Sequence, residues 1–216
     1  MAPPRLYGAS YSVYTRIARL ALIEKGVEYD FEEVEIFGPD GPPPGYLRRH
    51  PFGRIPALEH DGFELYETQA ICRYVDEGFA GRELHPASAP GRARMAQIVG
   101  VLDSYAYRPM VWDIFVERVR KPARGEPPDE AKIAAGLVIS ERCLSVLQDF
   151  MVDAAWLTGG GPEPTLADLH AAPMLVYLAA APEGRELLGR YPRIMAWLER
   201  MTARHSMQIV LAPLVD

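Results

Sequence analysis

The order of apolar and polar positions predicts alternating strands and helices in the first part of the chain. Apolar residues at helical spacing predict one helix over Ser12 to Lys25, which ends at Gly26, and another over Glu67 to Phe79. Short apolar or alternating runs predict strands at Arg5–Gly8, Val27–Ile36, Pro56–Glu59 and Phe63–Leu65. This order favours a small mixed sheet flanked by helices.

From Pro90 onwards the sequence shows helical periodicity and no strand signal. The predicted helices are Arg92–Val119, Asp129–Met151, Thr165–Ala181 and Pro192–Arg204. We therefore predict an α+β domain over residues 1–80, a linker over 81–89, and an all-helical domain over 90–216.

Composition narrows the possible functions. The 216 residues carry 23 Lys and Arg against 29 Asp and Glu, a net charge of −6, which argues against nucleic acid as a partner. Two cysteines exclude a disulfide-built scaffold, and five histidines without ligand spacing give no reason to expect a metal. We expect no membrane span, because the longest apolar stretch is short. The absence of an apolar signal segment at the N-terminus leads us to expect a cytoplasmic location.

Two local patterns near the middle of the first domain could carry chemistry. Ile55-Pro56 stands between a loop and a strand, where the residues alone favour a trans proline that opens an edge strand. Glu67-Thr68 stands at a helix start, where Thr68 suits the N-cap. The same pair could also bind the head of an amino acid, because helix N–H groups attract a carboxylate and Glu67 could hold an ammonium group.

A third pattern, Ser10-Tyr-Ser12, precedes the first helix. Ser12 is well placed to be an N-cap. A hydroxyl beside a helix N-terminus can also stabilise a bound thiolate. Lowering a thiol pKa from about 8.5 to near 7 requires about 2 kcal/mol, which one hydrogen bond to a charged group supplies.

Together, in this order and before an all-helical half, these patterns resemble the cytosolic glutathione transferase family, in a serine-type, bacterial-like form. The resemblance covers almost the whole chain. Ser12, Thr15 and Arg16 match the serine pattern at the first helix, and His50–Pro56 matches the segment around the family's cis proline. Glu67-Thr68 matches its pair for the γ-glutamyl group. The resemblance implies a thioredoxin-like first domain, glutathione as cosubstrate, no metal, and a homodimer.

The same resemblance assigns roles to individual residues. Ser12 would be catalytic and would keep the glutathione sulfur ionised. Ile55, beside Pro56, would pair through its backbone with the cysteinyl part of glutathione, and Glu67 and Thr68 would hold the γ-glutamyl group. In the helical half, Thr165 to Asp168 matches the family's N-capping box, a structural device.

Several positions depart from the family pattern or leave alternatives open. The loop 38–45 lacks the cation that some classes direct at the glycyl carboxylate, so Arg48, Arg49 or Arg54 would replace it, and Arg54 is best placed beside the strand. Tyr7 and Tyr11 are rivals of Ser12 as ligands of the thiolate. His50 stands where the family often has Asn.

The resemblance places the second substrate beside the helical half. Tyr11, Tyr107 and Met110 would form the site for a small hydrophobic electrophile. Phe52 either packs normally or inserts into a neighbouring subunit, and Asp103 resembles an acidic position that reaches the partner's glutathione site.

The function that we predict is conjugation of the glutathione thiolate to a hydrophobic electrophile, an activity associated with detoxification. One alternative uses the same thiolate for isomerisation or dehalogenation. The other is a binding module without catalysis, although a module without a ligand needs neither Ser12 nor Glu67-Thr68.

Overall fold

The computed structural model describes residues 2–39, 41–151, 155–158 and 161–211. The chain separates into two compact units, and the boundary along the first 208 residues falls between Leu84 and His85. The first unit has the thioredoxin-like α+β arrangement and the second is helical, as predicted.

The first unit contains the predicted strands and helices with shorter bounds. Its elements are β1 (Arg5–Gly8), α1 (Val13–Lys25), β2 (Asp30–Glu33), a 3₁₀ turn (Tyr46–Arg48), β3 (Ala57–His60), β4 (Phe63–Tyr66) and α2 (Thr68–Gly78). β2 is shorter than the predicted strand Val27–Ile36, because it pairs only with β1, which is itself four residues long. It lies at the edge of the sheet.

The four strands form one mixed sheet in the order β2-β1-β3-β4. β1 is parallel to β2 and antiparallel to β3, and Tyr7 lies opposite Ala57. The β3–β4 hairpin pairs Ala57 with Tyr66 and turns at Asp61-Gly62, where both residues have positive φ, 48° and 80°. A two-residue hairpin turn with this twist requires positive φ at both positions, which Asp-Gly tolerates.

The two faces of the sheet are covered differently. Because side chains alternate along a strand, Leu6 and Leu58 share one face, and Tyr7 and Ala57 share the other. Tyr7 and Ala57 pack in a buried cluster with Tyr46 of the 3₁₀ turn. The opposite face is left for α1 and α2, which contact the strands and each other.

A buried ion pair connects the two helices of this unit. The Nζ of Lys25, at the end of α1, lies 3.0 Å from Oδ1 of Asp76 on α2, and both side chains are 3% or less exposed. The same oxygen accepts a hydrogen bond from the backbone N–H of Leu84 at 2.8 Å. Gly81 has φ 136° and passes so close that a Cβ would lie 2.3 Å from the Lys25 carbonyl oxygen. The ion pair therefore fixes both helices and the segment that follows them.

The second unit is built from helices. They are α3 (Ala89–Val101), two π-helical segments (Leu102–Ala106 and Arg108–Arg120), α4 (Lys121–Ala123), α5 (Glu130–Phe150), α6 (Leu166–Ala180), α7 (Pro182–Leu188), α8 (Pro192–Thr202) and the first four residues of α9 (His205–Val210). α3 begins before the predicted Arg92, because the Ser88 hydroxyl caps it by accepting from the Gly91 N–H. α7 and α9 were not predicted, because so few residues carry little periodicity.

The helix that follows α3 is wound more widely than an α-helix. The N–H of Tyr107 bonds to the carbonyl of Leu102, and the N–H of Lys121 bonds to that of Val116, both five residues back. Pro109 lies within this stretch and has no N–H to donate. The predicted helix Arg92–Val119 is therefore present in a different winding, which changes the residues that share a face.

The predicted capping box at the start of α6 is present and is structural. One oxygen of the buried Asp168 accepts from the Thr165 N–H at 2.8 Å. The other accepts from the Leu157 N–H at 2.9 Å and from Nε1 of Trp197 at 2.8 Å. Burial raises the pKa of Asp168, and these accepted hydrogen bonds oppose that rise.

Two further observations concern the cysteines and the possibility of a membrane span. Cys72 and Cys143 are both free and buried. None of the described helices combines the length and the hydropathy needed to cross a lipid bilayer.

We expect Asp76→Asn to lower the free energy of unfolding by about 3–5 kcal/mol, because it leaves the buried Lys25 ammonium without a counter-charge. Urea unfolding measures this loss. The matched control is Glu77→Gln on the same helix, which breaks only an exposed pair with Arg73 and should cost less than about 1 kcal/mol. Equal effects of the two substitutions would contradict a structural role for the buried pair.

Candidate functional site

The register of the sheet brings three predicted segments to one end of it. Tyr7 is opposite Ala57, and Ala57 is opposite Tyr66. The residues just beyond these pairs are Gly8 at the end of β1, Pro56 before β3 and Glu67 after β4. Ser12 follows β1 by a short loop, so the serine, the Ile-Pro segment and the Glu-Thr pair converge on the same end of the sheet.

Ser12 caps the N-terminus of α1, as its sequence position predicts. Its Oγ accepts a hydrogen bond from the Thr15 N–H at 3.3 Å, and its backbone N–H donates to the Ala9 carbonyl at 2.9 Å. The Ser12 hydroxyl donates its own proton to nothing within the described residues. A hydroxyl can accept and donate at once, so this proton remains available to a bound anion.

The two rival hydroxyls donate their protons elsewhere. The Tyr7 hydroxyl donates to Oε2 of Glu59 at 2.9 Å, and burial, followed by this hydrogen bond, raises the pKa of Tyr7. The Tyr11 hydroxyl donates to Oε1 of Glu35 at 2.7 Å. Neither phenol therefore offers a proton that a thiolate could receive without first breaking an existing hydrogen bond.

The Ile55-Pro56 bond is cis, so the trans proline that the residues alone favoured is wrong. Pro56 immediately precedes β3, and the Ile55 side chain lies in the buried cluster with Tyr7 and Ala57. Within the described part of the chain, the Ile55 backbone N–H and carbonyl have no hydrogen-bond partner. This pair of groups is the kind that an extended peptide can use.

The Glu67-Thr68 pair differs from the predicted cap. α2 begins at Thr68, and Glu67 occupies the cap position without using its side chain as a cap. Thr68 as N-cap is therefore wrong. Glu67 has φ 71°, a conformation that costs a non-glycine residue about 1–3 kcal/mol and is found mainly at functional sites. The first N–H groups of α2 thus have no side-chain cap, which leaves them to a ligand.

The three candidate arginines are distinguished by their partners. Arg49 contacts Glu59 at 3.2 Å and Glu64 at 2.7 Å, and its guanidinium lies 4.3 Å from the centre of the Tyr7 ring. Arg48 and Arg54 are exposed, and among the described residues neither side chain is in an ion pair. Arg49 is therefore a structural residue of the sheet face, and its role as a carboxylate ligand is not supported.

Arg54 has a fixed backbone next to the cis bond. The Tyr46 hydroxyl donates to the Arg54 carbonyl oxygen at 2.9 Å, and burial, opposed by the Arg49 charge, raises the pKa of Tyr46. This hydrogen bond holds the chain just before Ile55. Arg54 is accordingly the better placed of the two unpaired arginines.

The sequence drew attention to His50 only as a departure from the family pattern. Its imidazole is buried and packs against Tyr66, with ring centres 4.9 Å apart and ring planes inclined by 40°. Burial lowers the pKa of His50, whereas the charge of Glu67 raises it. An Asn-to-His difference from the family pattern was the only signal of this imidazole in the sequence.

The residues predicted to line the electrophile site differ in their burial. Tyr11 is half-buried, with its ring centre 6.4 Å from that of Phe37, and Tyr107 is also half-buried. Met110 is fully buried in the second unit, so it offers no surface to a ligand, and we do not retain it.

Two further residues were expected to have a role between subunits. Phe52 is 71% exposed, and its ring centre lies 6.3 Å from that of Tyr66, so it does not pack in the interior of the protomer. One oxygen of Asp103 lies 2.7 Å from Nε2 of the buried His170, within the helical unit. In the described ranges, no three His, Cys, Asp or Glu side chains lie together in an arrangement that could hold a metal ion.

Both halves of the chain match a known family. Residues 6–83 match the model of the glutathione S-transferase N-terminal domain, and residues 130–200 match that of the glutathione S-transferase C-terminal domain. Glutathione S-transferase F6 of Arabidopsis thaliana is 28% identical over 212 residues, which are 98% of this chain and 100% of that protein. The probable glutathione S-transferase GSTF2 of Oryza sativa subsp. japonica is 30% identical over 211 residues, 97% of this chain and 96% of that protein.

The fold is similar to that of solved members as well. The structure of glutathione S-transferase I from maize in complex with an atrazine glutathione conjugate has a TM-score of 0.81 at 25% identity, and covers 97% of this chain and 96% of that one. The curated relatives named above are plant proteins, so the serine-type, bacterial-like subtype that the sequence suggested is not supported. With both domain models matched and full-length relatives at up to 30% identity, the chain belongs to the glutathione S-transferase family.

Proposed function

We propose that this chain joins glutathione to a hydrophobic electrophile, with Ser12 as the residue that keeps the glutathione sulfur ionised. The conjugation activity and the cosubstrate follow from the family. The roles of individual residues are the proposal. The observation that carries it is the Ser12 hydroxyl, which accepts from the Thr15 N–H and keeps its proton for a ligand at the N-terminus of α1.

The energy needed to ionise the thiol is within reach of this arrangement. Moving a thiol pKa from about 8.5 to near 7 takes about 2 kcal/mol. A hydrogen bond to a charged group contributes about 1.5–3 kcal/mol. The N-terminal dipole of α1 adds to it with the same sign, because it also favours a negative charge.

The rest of the tripeptide would be held on both sides of Ser12. The Ile55 backbone, which has no hydrogen-bond partner among the residues that the structure describes, supports pairing with the cysteinyl residue of glutathione. The uncapped first turn of α2 supports binding of the γ-glutamyl carboxylate by the N–H groups and hydroxyl of Thr68, with Glu67 on the ammonium group. Arg54 would bind the glycyl carboxylate. The thiolate would then start next to its target, which makes the reaction effectively local.

The electrophile would lie beside the serine, where Tyr11 and Phe37 present aromatic rings. Tyr107 remains a candidate from the helical unit. No observation favours isomerisation or dehalogenation over conjugation. A test that separates catalysis from simple binding is retention on immobilised glutathione combined with turnover of an aryl halide, an epoxide and a hydroperoxide. Retention without any turnover would contradict an enzymatic function and would favour the binding module.

We also propose a homodimer, since the exposed Phe52 ring supports a contact with a second copy. The domain limits 1–80 and 90–216 and the cytoplasmic location stay predictions. Two free, buried cysteines support a reducing compartment.

Ser12→Ala should raise the pH midpoint of thiolate formation by about 1–2 pH units, the equivalent of the lost hydrogen bond. The affinity for glutathione should change little, because the rest of the tripeptide is held elsewhere. The ultraviolet absorbance of the bound thiolate, followed against pH, measures the midpoint. Tyr7→Phe is the control and should leave it unchanged, since the Tyr7 proton is donated to Glu59. An unchanged midpoint in Ser12→Ala, with a raised one in Tyr11→Phe, would assign the role to Tyr11.

Glu67→Gln should weaken glutathione binding by about 10–100-fold with little effect on kcat, because it removes the counter-charge of the ammonium group. Glutathione that lacks the amino group should bind the wild type and the variant equally. Calorimetry measures both ligands. Glu77→Gln, on the exposed face of the same helix, is the matched control. A loss of the same size for both ligands would rule out an ammonium partner.

Arg54→Ala should weaken binding of glutathione about 10-fold, yet leave the affinity for its glycyl ethyl ester unchanged, because the ester has no carboxylate for the guanidinium. Arg48→Ala, which removes the neighbouring unpaired arginine, should have no such effect. The assignment is reversed if Arg48→Ala discriminates between acid and ester and Arg54→Ala does not.

A further inference from the structure

The position of Ser12 depends on the loop Ala9–Ser12, which we call the serine loop. It connects the end of β1 to the start of α1. Within the loop, the Ser12 N–H bonds back to the Ala9 carbonyl. Ser10, in its middle, makes no backbone hydrogen bond with the sheet or with α1. Its position must therefore be set by side chains.

Two side chains of opposite charge hold the backbone of Ser10. The Ser10 N–H donates to Oε1 of Glu33 at 2.8 Å, and the Ser10 hydroxyl lies 3.3 Å from the same oxygen. The Ser10 carbonyl accepts from Nε of Arg16 at 2.9 Å. The carboxylate thus binds the donor of this residue, and the guanidinium binds its acceptor.

Both side chains come from regular elements that are themselves fixed. Arg16 is fully buried in the first turn of α1, and its backbone N–H bonds to the Ser12 carbonyl. Glu33 is the last residue of β2 and pairs with Gly8 of β1. The next N–H, that of Val34, bonds to the Gly8 carbonyl at 2.9 Å. Ser10 is therefore held between a strand and a helix, which positions a site more firmly than a loop alone.

The fold itself does not explain the Glu33 contact. The residue is exposed, and an exposed carboxylate loses little by facing water instead. Its charge also opposes the chemistry, because a negative group near a thiolate raises the thiol pKa. The benefit must therefore come from the hydrogen bond to the loop rather than from the charge.

We propose that Glu33 is a positioning residue for catalysis, a proposal that rests on the proposed role of Ser12. By holding Ser10 against Arg16, Glu33 orients the Ser12 hydroxyl and the start of α1 towards the glutathione sulfur. The charged groups that face this loop in the described structure are Arg16 from α1, and Glu33 and Glu35 from β2 and its extension. Glu35 accepts hydrogen bonds from the Tyr11 hydroxyl and from the Phe37 N–H, so its contacts are separate from the contact between Glu33 and Ser10.

The test separates the hydrogen bond of Glu33 from its charge. Glu33→Gln keeps an oxygen that accepts from Ser10 and removes the charge, whereas Glu33→Ala removes both. In Glu33→Ala the pH midpoint of thiolate formation should rise by about 0.5–1 pH unit and kcat/KM near neutral pH should fall about 3–10-fold, because a misdirected hydroxyl stabilises the anion less. In Glu33→Gln the midpoint should equal the wild-type value or lie slightly below it.

The matched control is Glu32→Ala, which removes the neighbouring carboxylate of the same strand. Glu32 contacts Arg5 at 3.9 Å, and its side chain leaves the strand on the other face. The midpoint should not rise in this variant. Thermal melting of each variant records its stability separately, and a purely structural role of Glu33 would change melting without moving the midpoint of the folded protein, which would overturn the proposal.

Two further outcomes decide the matter. Equal lowering of the midpoint in Glu33→Ala and Glu33→Gln would mean that only the charge acts, and would refute positioning. In the Ser12→Ala background, Glu33→Ala should raise the midpoint by less than it does in the wild type, because there is no hydroxyl left to direct and the loss of the Glu33 charge lowers the midpoint. If Ser12→Ala alone leaves the midpoint unchanged, the proposed role of Ser12 fails. If Ser12→Ala raises it and Glu33→Ala does not, only the positioning role fails.

Discussion

The register of the antiparallel strands is the constraint on which the rest of the candidate site depends. Tyr7, Ala57 and Tyr66 lie side by side across β1, β3 and β4. The residues that follow Tyr7 and Tyr66 and the residue that precedes Ala57 therefore meet at one end of the sheet, although they are far apart in sequence. A slip of one residue would turn every side chain to the opposite face and would separate the Ile-Pro segment from the start of α2. Strand pairing therefore determines which segments form the site, and the side chains act within that arrangement.

What distinguishes the residues gathered there is the state of their hydrogen bonds. Three hydroxyls were candidates for the thiolate ligand, and two of them, on Tyr7 and Tyr11, already donate to carboxylates. Ser12 only accepts, so it alone of the three can donate to an arriving anion without breaking a bond. The same reasoning separates Arg54 from Arg49, whose guanidinium is held by two carboxylates and a ring. Residue type alone could not make these distinctions.

The sequence predicted the elements whose signals are local. The helix after Ser12 and the capping box at Thr165 rest on neighbouring residues, and both are present. The residues alone favoured a trans Ile55-Pro56 bond and were wrong, whereas the resemblance to the family implied the cis bond that is present. In the chain alone the two forms differ by only about 0.5–1 kcal/mol, so the local sequence does not decide between them. The π winding after α3 was also missed, since no local pattern in the sequence indicates it.

Contacts between a side chain and a distant backbone group are the part of the site that sequence reasoning could not reach. Glu33 belongs to a run of acidic residues along the edge strand, and nothing in that run singles it out. Parallel pairing places it opposite Gly8, where a Cβ would collide with Thr15, so α1 lies close against the end of β1. The pairing with Gly8 also brings the Glu33 carboxylate within reach of Ser10. The Glu33 carboxylate can therefore favour thiolate formation although its charge repels the thiolate. This requires that its hydrogen bond to Ser10 orients the neutral Ser12 hydroxyl well enough to stabilise the thiolate by more than the repulsion destabilises it.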